Sequence, residues 1–142
     1  MATVRQILEK KGHHVWTITP DRSVYDALRL MGEKEIGALV VVEGEEVVGV
    51  ISERDYARKV VLKGKTSRET QVREIMTSPV LYVGLEQSVA ECMAIMTEER
   101  VRHLPVLEQG ALVGMISQGD LVKSIIDEQQ FIIGQLENYI VQ

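Results

Sequence analysis

The chain of 142 residues has one cysteine, and its longest apolar run, residues 38–42, is only five residues long. A single cysteine cannot form an intramolecular disulfide or a cysteine-based zinc site, and five apolar residues cannot span a membrane. Basic residues number 16 against 21 acidic ones, a formal net charge of −5, which argues against broad attraction to nucleic acid or an anionic membrane. The amino-terminal segment lacks the apolar core of a signal peptide. We expect a cytoplasmic protein with no nucleic acid and no membrane among its partners.

Catalytic and metal-binding motifs are also missing. The sequence contains no nucleophile elbow, no Walker-type phosphate loop, no HExxH and no GxGxxG. Of its three histidines, His13, His14 and His103, the first two are adjacent, and adjacent side chains on a strand point to opposite faces. We therefore expect neither enzyme activity nor a metal site.

The sequence contains an internal repeat. Residues 15–64 aligned on residues 80–129 without a gap give 13 identities in 50 positions, where average composition gives about 3. The preceding segments TVRQIL, residues 3–8, and QVREIM, residues 71–76, match at an offset of 68 instead of 65. The chain is a tandem duplication with three extra residues in the first copy, near residues 10–14.

Each copy predicts the same order of elements, β-α-β-β-α after a short lead-in helix. Apolar residues at helical spacing predict helices that start after Ser23 and Ser88, and short apolar runs predict strands. The predicted strands are residues 15–18, 38–42 and 47–51, then 80–83, 104–107 and 112–116. A second long helix is expected after Ser52 and after Ser117. The fold class is therefore mixed α/β, with repeat 1 at residues 1–66 and repeat 2 at residues 67–142.

Neither copy alone could cover both faces of such apolar strands. We expect the two repeats to pack about a pseudo-twofold axis, which creates two equivalent clefts between them. The second copy ends in an amphipathic helix of about 20 residues, which outlasts its counterpart. Its apolar stripe predicts a homodimer. The stripe contains Val122, Ile125, Ile126, Ile132, Ile133, Leu136, Tyr139 and Ile140.

The turns GVISERD, residues 49–55, and GMISQGD, residues 114–120, are the strongest candidates for a site. The shared pairs are Ser52 with Asp55 and Ser117 with Asp120. A serine three residues before an aspartate can simply cap a helix. Alternatively, the carboxylate can accept both vicinal hydroxyls of a ribose while the helix N-terminus attracts phosphate.

The whole pattern resembles the CBS domain family, specifically the tandem pair known as a Bateman module. The resemblance rests on the order of elements, on the two Gly-hydrophobic-hydrophobic-Ser-x-x-Asp turns, and on RHLPV at residues 102–106. The first copy has GALVV at residues 37–41 and lacks the basic pair and the proline. With no effector domain in the sequence, a stand-alone pair is expected.

The resemblance implies a regulatory module that binds an adenosine compound in its clefts. AMP is expected first, NAD or ATP next, and S-adenosylmethionine is a further candidate, with no obligatory cofactor. Cleft 1 would contain Ser52, Arg54, Asp55, Gly37, Ala38, Thr77, Pro79, Val80 and Tyr82. Cleft 2 would contain Ser117, Asp120, Arg102, His103, His13, His14, Val15 and Thr17.

Two consequences follow from these assignments. The cation of cleft 1 is Arg54, whereas cleft 2 has Gly119 at that position and keeps its charge at Arg102 and His103, so the clefts are expected to differ in affinity. The signal would pass through an unidentified effector protein. The alternative is a structural dimerisation or protein-interaction module with no physiological nucleotide.

Overall fold

The computed structural model describes residues 2–141 and has a mixed α/β architecture, as expected from the sequence. The first copy contains α1 (Val4–Lys11), β1 (Thr17–Ile18), α2 (Val24–Lys34), β2 (Ala38–Glu43), β3 (Glu46–Ser52), α3 (Glu53–Lys59) and a 3₁₀ turn (Val61–Lys63). The second contains α4 (Val72–Ile75), α5 (Val89–Glu99), β4 (His103–Glu108), β5 (Ala111–Ser117) and α6 (Gln118–Val141).

The two central hairpins are built alike. β2 pairs with β3 and β4 with β5, both antiparallel, and each pair has an irregularity at an equivalent point, after Val41 and after Val106. Ala38 lies opposite Ser52, and His103 lies opposite Ser117. Each hairpin therefore brings the start of its first strand beside its own serine turn.

The lead-in strand predicted at residues 80–83 does not form, although β1 does at residues 17–18. In the first copy the Val40 N–H donates to the Trp16 oxygen at 3.2 Å, which extends the pairing of β1 with β2. The equivalent of Val40 is Pro105, which has no N–H. Only Val83 pairs with β4, as an isolated bridge.

Serine caps start the long helices where predicted. Ser23 Oγ accepts the Asp26 N–H at 3.0 Å, and Ser88 Oγ accepts the Glu91 N–H at 3.1 Å. The long helix predicted after Ser52 is short, because α3 ends at Lys59 and the chain enters the 3₁₀ turn. Gly64 ends the 3₁₀ turn with φ 69°, a left-handed conformation in which helical segments commonly stop, whereas its equivalent in the second copy, Gln129, lies inside α6.

The lead-in helices are exchanged between the copies. Val4, Ile7 and Leu8 of α1 lie in the same apolar cluster as the core of the second copy, while Val72 and Ile75 of α4 lie with the core of the first. Main-chain bridges accompany the exchange reciprocally, Thr3 with Ser88 and Gln71 with Ser23. This reciprocity gives the two copies their pseudo-twofold relation and places the lead-in segments against the turns of the opposite copy.

Two glycines offer a matched test of this packing. A Cβ on Gly114 would lie 2.7 Å from Cδ1 of the buried Leu8, whereas a Cβ on Gly32 in α2 would have no neighbour within 4 Å. We expect Gly114→Ala to lower the free energy of unfolding by about 1 to 3 kcal/mol through overpacking, and Gly32→Ala to raise it by about 0.5 to 1 kcal/mol. Urea denaturation measures both. Equal stability of Gly114→Ala and the native chain would contradict this packing of α1.

The carboxy-terminal helix α6 runs for 24 residues, longer than the 20 expected. Leu121 is buried and Ile125 packs against the core of the second copy. The remaining part of the apolar stripe is exposed, with Leu136 at 56% and Tyr139 at 82%. The half of α6 that lies past Ile126 therefore presents an uncovered apolar surface.

Candidate functional site

A cleft of about 420 Å³ lies between the copies at the first serine turn. From the first copy it is lined by Gly37, Val50, Ser52, Glu53, Arg54, Asp55, Arg58 and Lys59, and from the second by Thr77, Leu81, Arg100, Val101, Arg102 and His103. The wall from the second copy is held by main-chain hydrogen bonds between Thr77 and Val50, at 2.8 and 3.3 Å. The cleft is therefore an inter-repeat junction whose two sides are directly joined.

The first turn holds its carboxylate in a fixed position. Asp55 Oδ2 accepts the Ser52 N–H at 2.8 Å and the Ser52 hydroxyl at 3.1 Å. Lys59, one turn further along α3, places Nζ 3.1 Å from Asp55 Oδ1 and donates to the Ile75 oxygen at 2.9 Å. The same carboxylate thus caps α3 and lines the cleft.

Four guanidinium groups share the cleft with this carboxylate. Arg54, Arg58, Arg100 and Arg102 line the cleft, and within residues 2–141 none of them forms an ion pair with an acidic side chain. The positive charge of Arg58, followed by burial and the charge of Arg102, lowers the pKa of Arg54. In a chain of net charge −5, this local excess of positive charge is a site for an anion.

His103 sits between the two serine turns. A Cβ on Gly37 would lie 3.7 Å from its ring, an ordinary van der Waals distance, so the imidazole packs close to the main chain of the first copy. Burial, then the charges of Lys11 and Arg102, lowers the pKa of His103, although Asp120 and Asp55 act in the opposite direction. The folded protein therefore favours the neutral imidazole.

This pKa shift has a consequence for stability. The unfolded chain takes up a proton on His103 near pH 6.5, while the folded chain takes it up only at lower pH, so acidification through that range favours unfolding. We expect His103→Gln to lose less stability than the native chain between pH 7.5 and pH 5.5, measured by urea denaturation at each pH. Parallel losses in the two proteins would contradict the burial of this imidazole.

The second turn has the same capping hydrogen bonds as the first, but its carboxylate contacts a lysine from a different helix. Asp120 Oδ2 accepts the Ser117 N–H at 2.8 Å, and Ser117 Oγ accepts the Asp120 N–H at 3.1 Å. The ammonium of Lys11 lies 2.6 Å from the same carboxylate oxygen. Burial raises the pKa of Asp120, but hydrogen bonds from Lys11 and Ser117 and the lysine charge outweigh burial, so the pKa is lowered.

Arg102 and His103, which were expected in cleft 2, line cleft 1. Arg102 precedes β4, and His103, its first residue, also lies opposite Ser117 of the second turn, so their contribution to cleft 2 stays a prediction. The expectation that Arg54 alone supplies the positive charge of cleft 1 is corrected. Arg54 and Arg102 contribute to one cleft.

Several other expected site residues lie elsewhere. Ala38 is buried in the sheet, and Tyr82 is 56% exposed while its neighbour Leu81 lines cleft 1. Neither Pro79 nor Val80 lines that cleft. The residues expected to form one wall of cleft 2, which are His13, His14, Val15 and Thr17, have different surroundings.

A ring nitrogen of His13 lies 3.0 Å from the Val113 oxygen, and His14 contacts the Trp16 ring edge-on at 4.3 Å. Thr17 pairs with Val40 and borders a separate groove beside α2, while Val15 is half-buried. The four residues therefore do not form a continuous wall.

Several residues at the clefts are not among those assigned to them from the sequence. Glu53, Arg58, Lys59 and Arg100 line cleft 1, and Lys11 contacts Asp120. Arg58 and Lys59 come three and four residues after Asp55, so helical spacing alone could have placed them on the same face of α3 as Asp55. Arg100 and Lys11 come from ends of distant helices, and no local spacing connects them to either turn.

The structure adds three general findings about residues 2–141. No group of three His, Cys, Asp or Glu side chains there is arranged to hold a metal ion. Burial raises the pKa of the Cys92 thiol to about 11, which keeps it protonated. No described helix combines the length and apolar character needed to cross a bilayer.

Comparison with known proteins gives concordant matches. The family model of the CBS domain matches two segments of the sequence, residues 4–62 and 72–127. The chain is 36% identical over 148 residues to the mitochondrial CBS domain-containing protein CBSX3 of Arabidopsis thaliana, covering 97% of this chain and 71% of that protein. A solved structure of a protein with CBS domains from Burkholderia ambifaria MC40-6 has 56% identity and a TM-score of 0.86, covering 90% of this chain and 96% of the other.

A more distant structure shares the fold. The CBS domain pair of protein MJ0100, solved with 5′-methylthioadenosine and S-adenosyl-L-methionine, has a TM-score of 0.80 at 22% identity, over 90% of this chain and 98% of that one. The lead-in helices are exchanged, the hairpins are built alike and the serine turns repeat, so the chain is a duplicated module with a cleft between its copies. The chain belongs to the CBS domain family, as a tandem CBS pair.

Proposed function

We propose that this protein is a regulatory module that binds an adenosine nucleotide in cleft 1. The observation that carries the proposal is the juxtaposition of the Asp55 carboxylate with four unpaired arginines in an inter-repeat cleft of about 420 Å³. A nucleotide needs both an acceptor for its ribose hydroxyls and cations for its phosphates. The described lining offers both within one cavity.

Each part of the lining has a role in this proposal. Asp55 accepts the two ribose hydroxyls, and the phosphates lie toward Arg54 and Arg102. The adenine lies against the apolar side chains of Leu81 and Val101, which belong to the opposite copy. A bound nucleotide would therefore contact both copies and could report its presence through their relative position.

The charge of the cleft favours phosphorylated ligands. The MJ0100 pair was solved with 5′-methylthioadenosine and S-adenosyl-L-methionine, the first uncharged on its thioether and the second cationic at sulfur. Four arginines would repel a sulfonium and attract each added phosphate. We therefore place ATP and ADP before AMP, with NAD next and S-adenosylmethionine last, which reorders the expectation from the sequence.

The output is regulation of another protein, without catalysis by this chain. The exposed stripe of α6 supports a homodimer, and an unidentified effector protein would receive the signal. A cytoplasmic location suits the reduced thiol of Cys92. A second candidate is an interaction module without nucleotide, which the capping hydrogen bonds of Ser52 and Asp55 support, because they stabilise α3 in the absence of any ligand.

A thermal-shift series tests the proposal. Purified protein is heated with adenosine, AMP, ADP, ATP, NAD or S-adenosylmethionine at equal millimolar concentration, since a ligand that binds only the folded state raises the melting temperature. We expect the increase to grow with phosphate number, and to flatten in the double variant Arg54→Gln/Arg102→Gln. No increase with any of the six compounds would reject nucleotide binding in favour of the interaction module.

A further inference from the structure

The exposed part of α6 carries side chains at the spacing of helices that pack along one another. Ile125 is followed, at intervals of four, three, four and three residues, by Gln129, Ile132, Leu136 and Tyr139. Alternation of four and three residues defines a seam along which two helices pack. Ile125 already packs against the core of its own chain, whereas Ile132, Leu136 and Tyr139 are exposed. The seam open to a partner therefore starts at Gln129.

The two flanks of this seam differ in polarity. One flank is a column of exposed isoleucines seven residues apart, Ile126, Ile133 and Ile140, and the other contains Glu128 and Gln135. In a symmetric parallel pair, the apolar flank of each helix lies beside the polar flank of the other. In an antiparallel pair, each flank lies beside its own counterpart. Only the antiparallel pair covers the isoleucines with isoleucines.

The polar residue in the seam sets how the antiparallel helices align. Pairing the four seam residues in reverse order places Gln129 opposite the partner's Tyr139, and Ile132 opposite the partner's Leu136. The Gln129 amide and the phenolic hydroxyl can then form a hydrogen bond. This bond satisfies two polar groups that the interface would otherwise desolvate without a partner. The alignment therefore leaves both apolar and polar side chains matched.

A second copy of α6 suits this surface in size and in charge. The seam and its isoleucine flank hold six exposed apolar side chains. At on the order of 100 Å² for each side chain, two chains would bury roughly 1,200 Å², the lower end of the range for stable interfaces. Among residues 129–142 only Glu137 is charged at pH 7, and it lies outside the seam and both flanks. Two copies can therefore meet along the seam without repulsion between like charges.

We propose that two copies of this protein pair through antiparallel α6 helices, with Gln129 of each chain against the partner's Tyr139. The inference rests on the homodimer of the proposed function and adds its direction and alignment. Residues 126–140 of the two chains overlap over roughly 20 Å of helix. The two CBS pairs lie at opposite ends of this overlap.

Disulfide formation tests the direction. Gln129→Cys and Tyr139→Cys are mixed in a glutathione redox buffer, and covalent dimers are identified by mass. We expect a disulfide between the two variants in the mixture and none in either variant alone, because identical residues lie about 15 Å apart along the antiparallel helices, too far to be bridged. The native Cys92 is buried. Asn138→Cys, mixed with Gln129→Cys, is the matched control and should form no disulfide, because Asn138 faces away from the seam.

Each other result has a definite meaning. A disulfide in Gln129→Cys alone or in Tyr139→Cys alone would show a parallel pair and overturn the proposal, as would equal crosslinking of the Asn138→Cys control. No disulfide in any sample, while light scattering shows a native dimer, would overturn this alignment and leave the homodimer standing. A native chain that is monomeric at tens of micromolar would reject the homodimer and its alignment together. Nucleotide binding in cleft 1 is measured separately and does not depend on these results.

Discussion

Asp55→Ala is expected to weaken binding of ATP at least about tenfold, because two charge-assisted hydrogen bonds to the ribose, worth roughly 1.5 to 3 kcal/mol each before water compensates, are lost. The unliganded protein should lose no more than about 1 kcal/mol of stability, the usual scale of a helix cap. Calorimetric titration gives the first quantity and urea denaturation the second.

Ser52→Ala is the control that separates ligand binding from capping. Its hydroxyl accepts the Asp55 N–H at 3.3 Å and donates to the carboxylate, so its loss weakens the cap while the carboxylate remains. We expect a loss of stability similar to that of Asp55→Ala and a much smaller loss of affinity. Equal affinity losses in the two variants would mean that the turn acts through helix stability alone.

The second large effect is expected on assembly. Ile133→Glu/Leu136→Glu should convert a dimer into a monomer, because both side chains lie on the exposed stripe of α6 and are more than half exposed in the single chain. A carboxylate within an apolar interface would be desolvated without a partner. Light scattering should fall from about twice 15.9 kDa to 15.9 kDa.

Gly134→Glu/Asn138→Glu adds the same charge to the same helix outside the stripe. Gly134 and Asn138 each lie two residues from Leu136, about 200° around the helix, and a Cβ on Gly134 would have no neighbour within 4 Å, so this control should remain dimeric. A native chain that is monomeric at tens of micromolar, or a control that dissociates as readily as the stripe variant, would contradict a dimer formed through this face.

The duplication, the fold class and the serine caps could be predicted from the sequence because each depends on local spacing. Short apolar runs, helical periodicity and a repeat at an offset of 65 are visible in a single sequence. The missing lead-in strand was also predictable in principle, since Pro105 stands where Val40 donates a main-chain hydrogen bond. That prediction would have required knowing which residues of the lead-in segment pair with which residues of the hairpin.

The composition of the clefts depends on tertiary contacts and could not be predicted in the same way. Arg102 was assigned to the second cleft because it follows the pattern of its own copy, yet its side chain lines the first. Lys11 contacts Asp120 only because α1 crosses to the other copy and extends one turn further than α4. Neither relation has a signature in residue spacing.

The most direct test of nucleotide binding at Asp55 compares ATP with 2′,3′-dideoxy-ATP on the native chain and on Asp55→Ala. The two ligands carry the same phosphates and adenine and differ only in the hydroxyls that Asp55 is proposed to accept. We expect the native chain to bind ATP at least about tenfold more tightly than the dideoxy compound, and Asp55→Ala to bind both equally weakly. Equal affinity of the native chain for the two ligands would contradict it.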